Sequence, residues 1–113
     1  MSTWSVEMEP ELRTWLEKLS TAEFAAAAFR IDRLAEQGAA LRMPHSRALG
    51  DGLCELRFDL GRMAQRVTFF FPGDRRVVLL TVLSKQRATE RAELDRARAA
   101  MRRCIEQAHT VDE

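Results

Sequence analysis

The first forty residues show two different spacings of apolar positions. Trp4, Val6 and Met8 alternate with polar residues, and this period of two predicts a short strand. From Pro10 onward the spacing becomes helical, which predicts two helices with a joint at 19–20. The second helix opens on a Ser-Thr-Ala-Glu capping box and is predicted to stop at Gly38. The predicted buried residues are Leu12, Trp15, Leu16 and Leu19 in the first helix, and Phe24, Ala27, Ala28, Ile31, Leu34 and Ala35 in the second.

Strand patterns return after a predicted loop over residues 39–52. Residues 53–60 and 65–71 alternate between apolar and polar positions, whereas residues 77–83 are apolar throughout. A short run that is apolar on both faces is typical of an internal strand. Turns containing glycine separate the three runs. We therefore expect three antiparallel strands in a meander, with the N-terminal strand added at an edge.

A last helical pattern covers residues 88–108, with acids near its start and arginines near its end. Cys54 and Cys104 are both predicted to be buried and reduced, and packing of this helix on the sheet would allow the two to come close. The elements together predict a single α+β domain over residues 1–113, in the order β-α-α-β-β-β-α. The predicted buried stripe of the last helix is Leu94, Ala97, Met101, Cys104, Ile105 and Ala108.

Length and composition exclude several classes of protein. A chain of 113 residues, 46% hydrophobic and 31% charged, can bury a core without disulfides or a metal. Two cysteines and two histidines at scattered positions do not make a zinc site, so we expect no metal and no cofactor. No apolar run has membrane-spanning length, and the N-terminus lacks the features of a signal peptide. We therefore expect a cytoplasmic protein with no membrane partner.

Charge is distributed unevenly along the chain. The net charge is only +1, but residues 41–103 hold fourteen basic and seven acidic residues. Most of the basic residues are arginines, whose forked guanidinium groups make paired contacts to phosphate. Two interpretations stay open: a surface that binds a polyanion, and a solvated charged surface with no target.

Two arginines are predicted to lie side by side on one face of the sheet. A reversal at Gly61-Arg62 would place Arg57 and Arg66 on neighbouring strands, where like charges repel unless acids or an anion lie between them. Glu55 and Asp59 would neutralise them in a purely structural arrangement. A bound phosphate would do so in a functional site.

Further residues extend this cationic surface. Lys85 and Arg87 follow the end of the apolar strand, and Phe70 offers an aromatic plane on which a base could stack. Such a set suits cleavage of RNA by its own 2′-hydroxyl, which needs positive groups around the phosphorane and a proton donor, but no metal. A lysine in a desolvated cationic cluster can transfer a proton because its pKa is lowered.

Three stretches of the chain resemble a known family. They are residues 49–57 (LGDGLCELR), residues 66–70 (RVTFF) and residues 77–85 (VVLLTVLSK). They are similar to the RelE/HigB-type toxins of bacterial toxin–antitoxin modules, in the phage-derived branch of the RelE/ParE superfamily. The resemblance implies a compact RelE-like, microbial-ribonuclease-like fold and a type II toxin that cleaves mRNA on the ribosome without a metal. It also implies a cognate helix-turn-helix antitoxin.

The resemblance assigns roles to individual residues. It places the catalytic basic groups at Arg57, Arg66 and Lys85, and RNA contacts are predicted at Arg87, Phe70 and Arg62. The chain departs from the family pattern in having Gln86 after Lys85 and no tyrosine. Two alternatives stay open: a toxin of the same fold that acts on another target such as DNA gyrase, and a non-catalytic domain that binds a partner.

Overall fold

In the described part of the chain, five strands form one sheet, and three helices cover its two faces. The computed structural model describes residues 4–41, 45–83 and 90–111. The predicted α+β class is confirmed. The elements in chain order are β1 (Ser5–Met8), α1 (Pro10–Glu17), α2 (Thr21–Gln37), a 3-10 turn (Gly38–Ala40), β2 (Ser46–Gly50), β3 (Leu53–Leu60), β4 (Met63–Gly73), β5 (Arg76–Val82) and α3 (Glu90–Val111).

The sheet has the order β1-β5-β4-β3-β2. β1 lies at one edge and runs parallel to β5, whereas β2 to β5 are antiparallel to their neighbours. The predicted meander and the edge position of the N-terminal strand are therefore confirmed. The predicted loop over residues 39–52 is wrong in part, because β2 lies within it and pairs with β3. This strand is short and irregular. Gly50 is its last residue and Gly52 follows in the turn, so the sequence shows no clear alternation of apolar and polar residues here.

Two separate cores hold the helices to the sheet. On one face α1 and α2 pack over residues such as Leu56, Phe69 and Leu79. On the other face α3 packs over Phe70 and Leu80. Alternation along β4 sends successive phenylalanines to opposite faces, so one strand contributes to both cores. The internal strand β5 is consequently covered on both sides, as its apolar sequence predicts.

The helix boundaries follow local sequence signals. Pro10 occupies the first turn of α1. At α2, Ser20 Oγ accepts from the Glu23 N–H at 3.1 Å and Glu23 Oε1 accepts from the Ser20 N–H at 2.9 Å, which confirms the capping box. The predicted burial of Phe24 and Ile105 is wrong, since they lie near helix ends and are about half exposed. Among the described residues, no helix is long and apolar enough to cross a membrane.

The two cysteines lie on opposite faces of the sheet. Cys54 packs against the core under α1 and α2, and Cys104 packs against the core under α3. Both are free and half-buried, and burial raises the pKa of each thiol above its usual value. The two cysteines do not come close, because the sheet lies between them.

Gly38 ends α2 where no other residue fits. Its φ of 52° lies in the left-handed region. A Cβ built on Gly38 would lie 2.1 Å from Trp4 Cε2, within the indole ring. The backbone N–H of Trp4 also donates to the Ala35 carbonyl at 2.8 Å, so this ring cannot easily withdraw. The residue before β1 therefore packs directly against the C-terminal end of α2.

Replacing Gly38 by alanine is expected to lower the free energy of unfolding markedly. Backbone strain and overpacking each cost about 1–3 kcal/mol. Gly61→Ala is the control, because Gly61 has a φ of 60° but a Cβ at this position would have no neighbour within 4 Å. Urea unfolding of both variants measures the difference. Equal losses would show that the Trp4 ring does not restrict this position.

Candidate functional site

A cleft of about 1280 Å³ opens where α1, the ends of β3 to β5 and the first turns of α3 meet. It is rich in charged side chains of both signs, and it has one wall from the sheet and another from the helices. The residues that line it are Pro10, Glu11, Thr14, Trp15, Lys18, Arg30, His45, Arg57, Phe58, Asp59, Met63, Ala64, Gln65, Arg66, Val82, Leu83, Glu93 and Arg96.

The hairpin of β3 and β4 brings two predicted site residues into this cleft. Leu60 pairs with Met63 across a two-residue turn, and this register places Arg57 directly opposite Arg66. The predicted juxtaposition is therefore confirmed. Arg57 is exposed, and it makes no ion pair with any residue that the structure describes. Its guanidinium charge is therefore not balanced by a carboxylate among these residues.

Arg66 is in a very different environment. Its side chain is only 12% exposed, and its Nε donates to Glu55 Oε1 at 2.7 Å while Nη2 donates to Oε2 at 3.0 Å. Its Nη1 donates to Glu90 Oε1 at 2.5 Å, at the start of α3. The hydrogen bond to Glu55 is the main cause that raises the pKa of Arg66 above its usual value, so the group stays charged.

Glu55 explains why Arg66 is held so firmly. Its carboxylate is fully buried, and a buried charge is tolerated only when it is paired and hydrogen-bonded. The neutralising role that the sequence allows for Glu55 is thus seen at Arg66. Arg66 therefore does not belong to an open cationic surface of the kind predicted, because α3 covers this face of the sheet.

A β-bulge shapes the end of β5. Val67 pairs with Val82 and Phe69 with Leu79, so two residues of β5 face Thr68 alone. Thr68 Oγ1 accepts from the Thr81 N–H at 3.0 Å and lies 2.7 Å from Thr81 Oγ1. The threonine pair therefore satisfies a backbone group that the bulge removes from the regular ladder.

The last residues of β5 are held by side chains from both helix layers. Glu11 Oε2 accepts from the Val82 N–H at 3.0 Å, and Arg96 Nη2 donates to the Val82 carbonyl at 3.1 Å. The Leu83 N–H donates to the Arg66 carbonyl at 2.9 Å. Arg96 is itself ion-paired with Glu11 and with Glu93. These contacts fix the point where the chain leaves the sheet inside the cleft.

The remaining predicted site residues have different outcomes. Lys85 and Arg87 lie outside the described residues, although Leu83 lines the cleft two positions before Lys85. Arg62 is exposed on the turn between β3 and β4 and does not line the cleft. The prediction that Phe70 offers a stacking plane is wrong, because Phe70 is 4% exposed beneath α3.

Sequence reasoning misses the helical wall of the cleft. Trp15, Lys18 and Arg30 line it from α1 and α2. The helical spacing assigns Trp15 to the core, and nothing in the local sequence distinguishes the two cations from other charged surface residues. Lys18 and Arg30 are twelve residues apart, at the end of α1 and within α2, so only tertiary structure brings them to one cleft.

Comparison with protein families identifies the chain. Residues 14–102 match the model of the family described as "Phage derived protein Gp49-like (DUF891)". The chain belongs to the Gp49-like family. This is a family of RelE-like toxins, which confirms the predicted kinship with RelE-type toxins in their phage-derived branch. The matched range contains every lining residue of the cleft except Pro10 and Glu11.

Comparison with solved structures supports the fold of this Gp49-like protein. A structure of the Escherichia coli toxin RelE in the free state, as a double arginine-to-alanine mutant, matches with a TM-score of 0.59. The match covers 89% of this chain and 97% of that one at 9% sequence identity. At this identity the likeness establishes a RelE-like fold. A search of the curated proteins found no match.

Arg66→Ala is expected to lower the free energy of unfolding of the Gp49-like protein by about 3–5 kcal/mol, because it leaves the buried Glu55 charge unpaired. Arg57→Ala, on the facing strand, should change it by less than about 0.5 kcal/mol. The double variant Glu55→Leu/Arg66→Met removes both charges and should recover most of the loss. Urea unfolding distinguishes the three. Equal stability of the two single alanine variants would contradict a structural role for the pair.

Proposed function

We propose that this Gp49-like protein is the toxin of a type II toxin–antitoxin module and a ribosome-dependent, metal-independent endonuclease that cuts mRNA. The observation that carries the proposal is Arg57, an exposed arginine without an ion pair in the described residues, directly opposite Arg66 within a cleft. The RelE-like family and fold support it. The protein would act in the cytoplasm, where it meets ribosomes and mRNA.

The proposed chemistry is attack of an RNA 2′-hydroxyl on the adjacent phosphate, which forms a 2′,3′-cyclic phosphate and breaks the bond from phosphorus to the 5′-oxygen of the next nucleotide. The 2′-hydroxyl loses its proton to water, and the 5′-oxygen takes up a proton as it leaves. Arg57 would contact the phosphate and stabilise the charge that develops on its oxygens in the transition state. Arg66 keeps its charge and is oriented by carboxylates, with three of its five N–H donors bound to Glu55 and Glu90. Its remaining donors would assist Arg57.

Proton transfer is assigned to Lys85, and Arg87 would contact a neighbouring phosphate. The supporting observation is that β5 is held by Glu11 and Arg96 at Val82, three residues before Lys85. A chain that leaves the sheet at a fixed point inside the cleft restricts where its next residues can reach. In this assignment Arg57 would stabilise the developing charge and Lys85 would protonate the leaving oxygen.

Arg57→Ala and Lys85→Ala are each expected to reduce mRNA cleavage by the equivalent of about 2–4 kcal/mol, which is roughly 30- to 1000-fold in rate. The measurement is growth and transcript cutting after induction in a bacterial host at matched protein levels. Arg103→Ala is the control, because Arg103 is an exposed arginine of α3 that does not line the cleft. Full activity of both cleft variants would remove this site from the proposal.

The same induction separates the proposed target from the alternatives. Rapid loss of protein synthesis with cuts inside translated mRNA supports the endonuclease. DNA damage and filamentation without mRNA cutting would point to a gyrase-directed toxin. Normal growth despite folded protein would point to a non-catalytic domain that binds a partner.

The proposed partner is a cognate helix-turn-helix antitoxin encoded next to this gene. The excess of positive charge in residues 41–103 would draw the free protein to RNA, so an inhibitor would have to cover the basic surface or add bulk that the ribosome cannot accommodate. Co-expression of the neighbouring gene is expected to restore growth, and the two proteins should co-purify through an interface above roughly 1,000 Å². A complex that still cuts mRNA on ribosomes would contradict neutralisation by binding.

A further inference from the structure

We propose that α1 and α2 form a second binding wall of the cleft for single-stranded RNA, with Trp15 stacking on a base and Lys18 and Arg30 contacting phosphates. This inference rests on the proposed function, since it extends the path of the RNA beyond Arg57 and Arg66. It assigns binding roles to three residues on the helical side of the cleft.

Trp15 has the position and the support that a stacking platform requires. It lines the cleft and is half-buried, so part of its indole faces the opening. Its ring packs edge-on against Phe58, with centroids 6.4 Å apart and an angle of 62° between the planes. Phe58 also lines the cleft but is only 6% exposed, so Trp15 is the accessible aromatic among the described lining residues. A ring fixed in this way loses little freedom when a base stacks on it.

The cations of the cleft fall into two groups. Arg66 and Arg96 are each bound by two carboxylates, so most of their charge is already balanced. Lys18 and Arg30 make no ion pair with any residue that the structure describes. Arg30 lies over the ring of Phe29, with Cζ 5.6 Å from the centroid, and this contact orients the guanidinium without neutralising it. Arg57 is a third lining cation without an ion pair among the described residues, against one such lining carboxylate, that of Asp59, so positive charge is in excess in the cleft.

The combination favours a nucleic acid over an acidic peptide. Cations interleaved with accessible aromatic rings are the features by which proteins hold single strands without reading their sequence. An acidic peptide needs the cations but gains little from the indole. The cleft volume of about 1280 Å³ also exceeds the range of about 300–1,000 Å³ typical of small-molecule pockets. It therefore suits several units of a polymer.

Tryptophan fluorescence tests the stacking directly. The chain has two tryptophans, so Trp4→Phe leaves Trp15 as the reporter. The probe is a 2′-O-methyl oligonucleotide, which can bind but cannot be cut by 2′-hydroxyl attack. We expect it to quench the fluorescence of Trp4→Phe and to leave that of Trp15→Phe unchanged. Trp15→Phe and Trp15→Ala should differ in affinity for a labelled probe, with the loss of the ring weakening binding by roughly 5- to 150-fold.

Matched charge variants test the phosphate contacts. Lys18→Ala is compared with Arg13→Ala on α1, and Arg30→Ala with Arg33→Ala on α2, because Arg13 and Arg33 are exposed but do not line the cleft. Each cleft variant should weaken probe binding several-fold. It should also reduce the slope of log affinity against log salt by about 0.7, the value for one phosphate contact on a single strand. The two control variants should retain the parent slope.

The outcomes separate this inference from the proposed function. Equal effects within each pair, no quenching of Trp15, or displacement of the probe by polyglutamate at the same charge concentration would overturn the helical wall. If the wall variants lose probe binding while the parent protein cuts no mRNA on ribosomes, the wall stands and the endonuclease proposal fails. Circular dichroism and thermal unfolding confirm that each variant is folded. If Trp4→Phe does not fold, the Trp15 variants are compared with Trp4 in place, and fluorescence anisotropy of the labelled probe measures their affinity.

Discussion

Burial of the Glu55 carboxylate is the constraint around which the rest of the cleft is arranged, and its pairing with Arg66 meets that constraint. A fully buried charge requires a counter-charge close by, and the facing strand supplies it. Arg66 then reaches Glu90 at the start of α3, so one side chain joins β3, β4 and the last helix. This connection helps to shape the cleft, because Arg66 joins the strand ends that line it to the first turns of α3, which also line it.

The cations of the cleft differ in whether carboxylates balance their charge. Carboxylates from the sheet and from the helices balance Arg66 and Arg96. Arg57 on one wall and Lys18 and Arg30 on the other have no ion pair among the described residues. A protein that needs positive charge for an anion must also keep that charge from disrupting its own fold. Here the two arginines bound by carboxylates stabilise the fold around the cleft, and the cations without an ion pair are available for a ligand.

Much of the fold can be predicted from the spacing of apolar residues, because the residues that a helix or strand buries recur at the period of that element. The Arg57–Arg66 juxtaposition is predictable for the same reason, since a two-residue turn fixes the register of a hairpin. The predictions that failed depend on tertiary coverage. The polar alternation of β3 and β4 suggests a solvated face, but α3 buries Glu55 and Phe70 there. The helical wall escapes prediction because no local pattern relates residues on α1 to those on α2.

The bulge in β5 has a consequence for how relatives of this protein are aligned. Leu80 packs under α3, Thr81 bonds to Thr68 on that same face, and Val82 packs with α1 and α2. A relative with one residue fewer between Leu79 and Val82 would pair with β4 without a bulge. Leu79 and Val82 would still point to the face that α1 and α2 cover. Evolution can therefore change the length of the strand here without moving its ends. An ungapped alignment would then shift every later position by one, and the role expected of Lys85 would be assigned to its neighbour.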